Sequence, residues 1–185
     1  MKERIKIKLA ISQNSFKGPS FRLFCDDSVL DECVNYTQAT YENIFEMELQ
    51  KGRHQLIIEH FGKHPRDTDT AKKQDVAVRL VGLYFNGVKC DEVDLHENYF
   101  YPTKWPYPLD LKIKNNLYFG YNGQYRYFFE TPATGWVLTQ KKKHQKQLSE
   151  IENFEISEDE FITRLEAKIK QEANLVLSQG NMDKY

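Results

Sequence analysis

Asp75 to Leu95, DVAVRLVGLYFNGVKCDEVDL, decides the fold. Val76, Val78, Leu80, Val81 and Leu83 form a nearly continuous apolar run that stops at Asn86-Gly87. A short apolar run bounded by turn residues is a strand enclosed by its neighbours. Asn-Gly is the strongest short hairpin signal, because both residues tolerate positive φ. The stretch therefore predicts a central strand over 76–85. Residues 88–95 would be its returning arm, with Val88, Cys90 and Val93 apolar.

Upstream, residues 4–11 alternate Ile5, Ile7 and Leu9 against Lys6 and Lys8, which is a half-buried strand with a charged outer face. Residues 20–25 alternate again after the turn Lys17-Gly18-Pro19-Ser20. Residues 40–49 stop at Lys51-Gly52 and residues 53–61 follow, so the two read as a hairpin. The polar stretch 63–74 is a loop of about a dozen residues, long enough to be functional. Downstream, Pro102, Pro106 and Pro108 interrupt any ladder. Residues 116–121 and 124–130 flank Asn122-Gly123 and predict another hairpin, and 135–139 predict a last short strand. Roughly ten short strands with regular turns imply a mainly β chain. The expected fold is an antiparallel β-sandwich, jelly-roll in outline.

The pattern changes after Gln140, and three segments are expected: a sandwich over 1–140, a charged linker over 141–156 and a C-terminal amphipathic α-helix over 157–180. Ser157 and Glu160 form a capping box, with Ile156 and Phe161 as a hydrophobic staple. Ile162, Leu165, Ile169, Ala173 and Val176 then recur at three and four, giving one apolar stripe before Gly180. Phe161, Ile162, Leu165, Ile169 and Val176 are the candidate partner-binding residues. The stripe either folds back on its own sandwich or packs on another subunit.

The 185 residues carry 26 Lys plus Arg against 27 Asp plus Glu. That balance supplies no global drive toward nucleic acid or anionic membrane, and neither partner is expected. The N-terminus lacks an apolar signal core. Cys25, Cys33 and Cys90 are odd in number and without metal spacing, as reduced cytosolic thiols would be. The five histidines form no H-E-x-x-H pair, and the acids Asp67, Asp69, Asp75, Asp91, Glu92 and Asp94 lack calcium-loop spacing. No nucleophile motif or phosphate loop occurs. The chain is therefore expected to be no enzyme and to hold no metal or cofactor.

About half of the 25 aromatic residues fall between Tyr99 and Trp136. Tyr127 and Phe129, on a strand, belong to the core. Tyr101, Trp105 and Tyr107 lie around the Pro-rich loop, where flat rings either stack on sugars, anchor a protein interface, or fold down to finish the core.

Three segments taken in order carry a resemblance. GRHQLIIEHFGKHPRDTD (52–69) joins an alternating strand to Gly-Lys and a polar loop. DVAVRLVGLYFNGVKCDEVDL (75–95) joins an apolar strand to an Asp-rich arm. FGYNGQYRYFFETPATGWVL (119–138) turns from Asn-Gly into an aromatic strand. Residues 52–138 thereby resemble small β-sandwich structural proteins of tailed bacteriophages, cyanobacterial phages in particular, which are carbohydrate-binding-module-like in outline. The resemblance implies a virion component of tail, baseplate, neck or fibre, made in the host cytoplasm and without catalysis. Its partners would be other virion proteins, further copies of itself, or a glycan; carbohydrate or receptor binding through the loop aromatics is the alternative.

Overall fold

The computed structural model describes residues 2–12, 17–72, 75–103, 111–114 and 116–150. The chain divides after Lys141 into two units, and the strands lie in the first. They are β1 (Lys2–Ser12), β2 (Ser20–Cys25), β3 (Ser28–Cys33), β4 (Thr40–Gln50), β5 (Arg53–Phe61), β6 (Val78–Phe85), β7 (Val88–Lys89), β8 (Tyr99–Pro102), β9 (Ile113–Lys114), β10 (Tyr118–Phe119) and β11 (Gly123–Glu130). One sheet has the order β10-β6-β1-β4, with β7 on β6; the other runs β3-β2-β5-β11-β8-β9. Every pairing is antiparallel.

Period-two alternation builds the core. Ile5 and Ile7 are fully buried, while Arg4 and Lys6 stand outside and pair with Glu46 of β4 at 2.6 and 2.7 Å. Tyr125, Tyr127 and Phe129 of β11 point inward between Gln124, Arg126 and Phe128. The two sheets meet face to face through rings. Phe85 lies 4.5 Å from Phe129, and Phe119 stacks between Phe100 at 5.2 Å and Tyr125 at 5.3 Å. Each buried ring or aliphatic side chain contributes about 1.5–3 kcal/mol. The mainly β, antiparallel sandwich is the fold the alternation implied.

β6 is an interior strand, and its run of apolar residues has a specific cause. Ala10 pairs with Gly82 but Ile11 with Leu80, so Val81 is an extra residue in a β-bulge. The bulge resets the alternation: Val78 and Leu80 point inward before it, Leu83 and Phe85 after it, and Val81 is exposed. A second bulge puts Leu30 between Asp31 and Val29 on edge strand β3.

Several local expectations are corrected. β4 and β5 form no hairpin; they lie in different sheets. Gly52, at φ 149°, turns the chain across the sandwich and donates its N–H to Thr131 Oγ1 at 2.9 Å. β10 and β11 also lie in different sheets. Gly123 serves close approach instead of a hairpin turn, since a Cβ there would sit 2.5 Å from the Tyr101 carbonyl oxygen. The Asn86-Gly87 hairpin forms, but its returning strand is only β7. Asp91 then caps a short helix α1 (Glu92–Glu97), accepting from the Glu92 N–H at 3.1 Å.

The strand expected over 135–139 is instead part of helix α2, residues 133–150. Ala133, Trp136, Val137, Gln140 and Lys141 are among its covered positions, at helical spacing. The period is visible only across the boundary that the composition change suggested. Glu3 accepts from the Ala133 N–H at 3.1 Å, near the helix start. Residues 141–150, expected to begin a linker, are helical. Phe161, Ile162, Leu165, Ile169 and Val176 lie outside the described residues, as do Trp105 and Tyr107.

Candidate functional site

The outer face of the six-stranded sheet carries an ordered array of arginines and aromatic rings. Alternation on β2, β5, β8 and β11 sends Phe21, Ile58, Phe100 and Tyr125 inward, and so sends Arg22, Glu59, Tyr101 and Gln124 outward. Strand register then aligns the outward side chains in rows. Glu32 pairs with Arg22, Arg22 with Glu59, Glu59 with Gln124, and Gln124 with Tyr101. Five strands at about 4.8 Å spacing make this row about 19 Å long. Phe24, Ile57, Arg126 and Tyr99 form the next row, followed by Gln55 and Phe128, then Arg53 and Glu130.

The first row is internally bonded. Arg22 donates Nε–H to Glu32 at 2.8 Å and Nη1–H to Glu59 at 3.3 Å; Gln124 donates to Glu59 at 3.1 Å. The bond from Arg22 holds the Glu32 carboxyl below its ordinary range. Arg126 reaches Gln124 Oε1 with two nitrogens, at 3.2 and 2.9 Å, and lies over the Tyr101 ring at 4.8 Å. Arg22 covers Phe61 at 4.9 Å, Arg53 covers Phe128 at 4.5 Å, and Lys112 covers Tyr99 at 4.8 Å. Cation–π contact and stem packing leave these outward rings only half-exposed. The result is a pre-ordered surface of planar groups.

Of the sequence-expected aromatics, Tyr101 sits at the end of the first row. The structure adds Arg22, Arg53 and Arg126, which sequence reasoning missed. Their signal was the outward parity of each strand, but parity alone does not align three arginines without the register. Asp67, Asp69, Asp75, Asp91 and Asp94, weighed as calcium ligands, have structural partners. Asp67 is buried and binds Lys17 at 3.1 Å; Asp69 lies 3.5 Å from Lys72; Asp91 caps α1; Asp94 accepts from the Tyr127 hydroxyl.

One buried charge pair closes the end of the sandwich. Lys63, at the end of β5, donates to Asp75 and to the Gly120 carbonyl. Thr68 and Tyr118 donate to Asp75 at 2.7 and 3.0 Å. Burial pushes the Asp75 carboxyl up, but the Lys63, Thr68 and Tyr118 bonds outweigh it and hold it below its ordinary range. Asn122 locks the same strand end: the Lys63 N–H donates to its Oδ1 at 2.9 Å, and its amide donates to the Lys63 carbonyl at 2.8 Å. This cluster ties Thr68 and Asp75 to the end of β5. The thiols of Cys25 and Cys90 are pushed up to about 12 and that of Cys33 to about 11, chiefly by burial. All three are therefore protonated, and poor nucleophiles, at neutral pH.

Neither the sequence, set against family models and curated proteins, nor the fold, set against solved structures, finds a match. No described helix is long and apolar enough to cross a membrane.

Proposed function

We propose that the chain is a non-enzymatic structural or adaptor component of a tailed-phage particle, acting in its tail, baseplate, neck or fibre. The particle assignment rests on the resemblance of residues 52–138. The adaptor role rests on one observation, the rows of arginine and aromatic side chains on the outer face of the six-stranded sheet. Arg and Tyr are the residues over-represented in interface hot spots, and their flat groups lose little side-chain freedom when already packed on each other. An array of planar groups spread across the outer face of a sheet suits a neighbouring subunit better than a small substrate, which needs concavity. The apolar stripe Phe161, Ile162, Leu165, Ile169 and Val176 supplies a second contact that raises effective concentration.

A glycan reading is favoured by the polar row ending at Tyr101, since donors and acceptors beside a ring suit a sugar. It is disfavoured by Arg126, which covers the face of that ring.

Gradient sedimentation of particles containing the chain tests the assignment. Arg53→Ala with Arg126→Ala should lower its occupancy at least tenfold with an unchanged melting temperature. Leu165→Glu with Ile169→Glu should do so as well. Unchanged occupancy in the arginine variant would overturn the outer-face assignment. Specific glycan binding by the isolated chain, lost on Tyr101→Ala, would replace the adaptor reading with the second one.

A further inference from the structure

A different surface, on the side of the sandwich where both sheets end, is built to accept an additional strand. β3 and β4 are the terminal strands of their sheets, and among the described residues neither has a partner on its outer side. The two edges are held together at both ends. At one end the Tyr41 hydroxyl donates to Asp31, and Tyr41 packs edge-on to Phe21 at 5.2 Å and Tyr36 at 5.7 Å. At the other, His54 bridges Asp26 of the β2–β3 turn and the Gln50 carbonyl at the end of β4, both at 2.8 Å. Between these staples the edges part and leave an open groove of about 440 Å³. Its apolar lining includes Leu30, Phe45, Met47 and Leu49, all half-buried although they point toward the core.

Charge identifies the occupant. Among the described residues, those lining the groove include Asp26, Glu46 and Glu48 and no Lys or Arg. On its paired side β4 already shows what it accepts. Its outward Glu42, Glu46 and Glu48 are met by Lys8, Lys6, Arg4 and Lys2 of β1, while Ile5 and Ile7 of the same strand point into the core. We infer that the free edge of β4 takes an extended segment of another protein with Lys or Arg on one face and aliphatic residues on the other. The backbone would extend the five-stranded sheet, the aliphatic side chains would fill the groove, and the cations would meet the second side of the same glutamates. A second copy pairing β4 against β4 is disfavoured, because it would bring glutamate rows together. The surface is separate from the outer sheet face and goes beyond the role proposed for that face.

The test uses the full chain and a fluorescein-labelled peptide KERIKIKLAIS, the pattern of residues 2–12, read by fluorescence anisotropy. Saturable binding is expected, weakened at least tenfold by N-methylation of alternate peptide nitrogens and by exchange of its Lys and Arg for Glu. Met47→Glu in the chain should weaken it similarly, whereas Arg53→Ala with Arg126→Ala should not change it. That last variant separates this inference from the outer-face proposal. Equal binding of all three peptides, or undiminished binding by the Met47→Glu chain, would overturn the inference, as would no binding at all. Self-association of the free chain that Met47→Glu abolishes would assign the edge to a second copy instead.

Discussion

His60 should make the sandwich acid-labile well above the range in which carboxylates titrate. The side chain lies on the inward face of β5, 1% exposed, with Nδ1 2.9 Å from the Tyr121 carbonyl. That carbonyl accepts, so Nδ1 carries the proton of the neutral ring. Burial pushes the imidazole down to about 4 from 6.5; the Tyr121 carbonyl opposes the shift, and Lys63 adds to it. A depressed folded value means that the unfolded chain takes up a proton below pH 6.5 while the folded chain does not. Stability is therefore full above about pH 6.5 and is lost progressively as pH falls to about 4. At 1.36 kcal/mol per pH unit the loss from this one group approaches about 3 kcal/mol. The carboxyls of Asp67 and Asp75, held below their ordinary 3.8, act in a lower window. His60→Gln keeps a donor for the Tyr121 carbonyl and removes the titration. Urea unfolding of both proteins between about pH 7.5 and about pH 4.5 should show the parent losing about 2–3 kcal/mol more than the variant. Equal losses, or an imidazole that titrates near its ordinary value in the folded chain by NMR, would refute the reasoning.

Phe85→Ala should cost about 3–5 kcal/mol, because the ring is fully buried between the sheets; a loss below about 1.5 kcal/mol in denaturant unfolding would mean the sheets close over the gap. Lys63→Met should cost about 2–3 kcal/mol, somewhat under the usual figure for a buried pair because Asp75 is 26% exposed. A double-mutant cycle with Asp75→Asn should show the two losses strongly non-additive. His54 works in the opposite sense to His60: burial lowers it, but the bonds to Asp26 and the Gln50 carbonyl win and raise it. Its stabilisation is full below about pH 6.5 and fades as pH rises through the raised value, so His54→Gln should flatten the melting temperature over about pH 6–8.

Much of the fold was legible because period-two alternation is set by the pleat itself. β1, β2, β5, β6 and β11 could each be read from their own residues. Strand partners could not. Lys51-Gly52 resembles a hairpin turn, yet whether a two-residue connection pairs its strands or carries the chain to the facing sheet depends on distant contacts such as Gly52 to Thr131. β3 escaped notice because Asp31 and Glu32 interrupt its alternation and Leu30 bulges out of it. Residues 133–141 were misjudged because Trp136 and Val137 favour strands in isolation, while their helical spacing emerges over a longer window. The arginine rows were the least legible feature, since they exist only once three strands are in register.

The path of the chain between the sheets bears on how the protein is made. β1 is enclosed by β4 and β6, and β5 and β8 are separated by β11, the last strand to be synthesised among the described residues. Residues 2–12 thus wait for a partner at 78–85, and the six-stranded sheet stays open along β5 until 123–130 arrive. Neither sheet can close as a local unit. Folding dominated by such distant pairings falls in the millisecond-to-second range, slow beside helical domains. The ribosome-bound chain therefore presents an unsatisfied β5 edge from the emergence of residues 53–61 until that of residues 123–130, and that interval is when it is most exposed to aggregation and to chaperones.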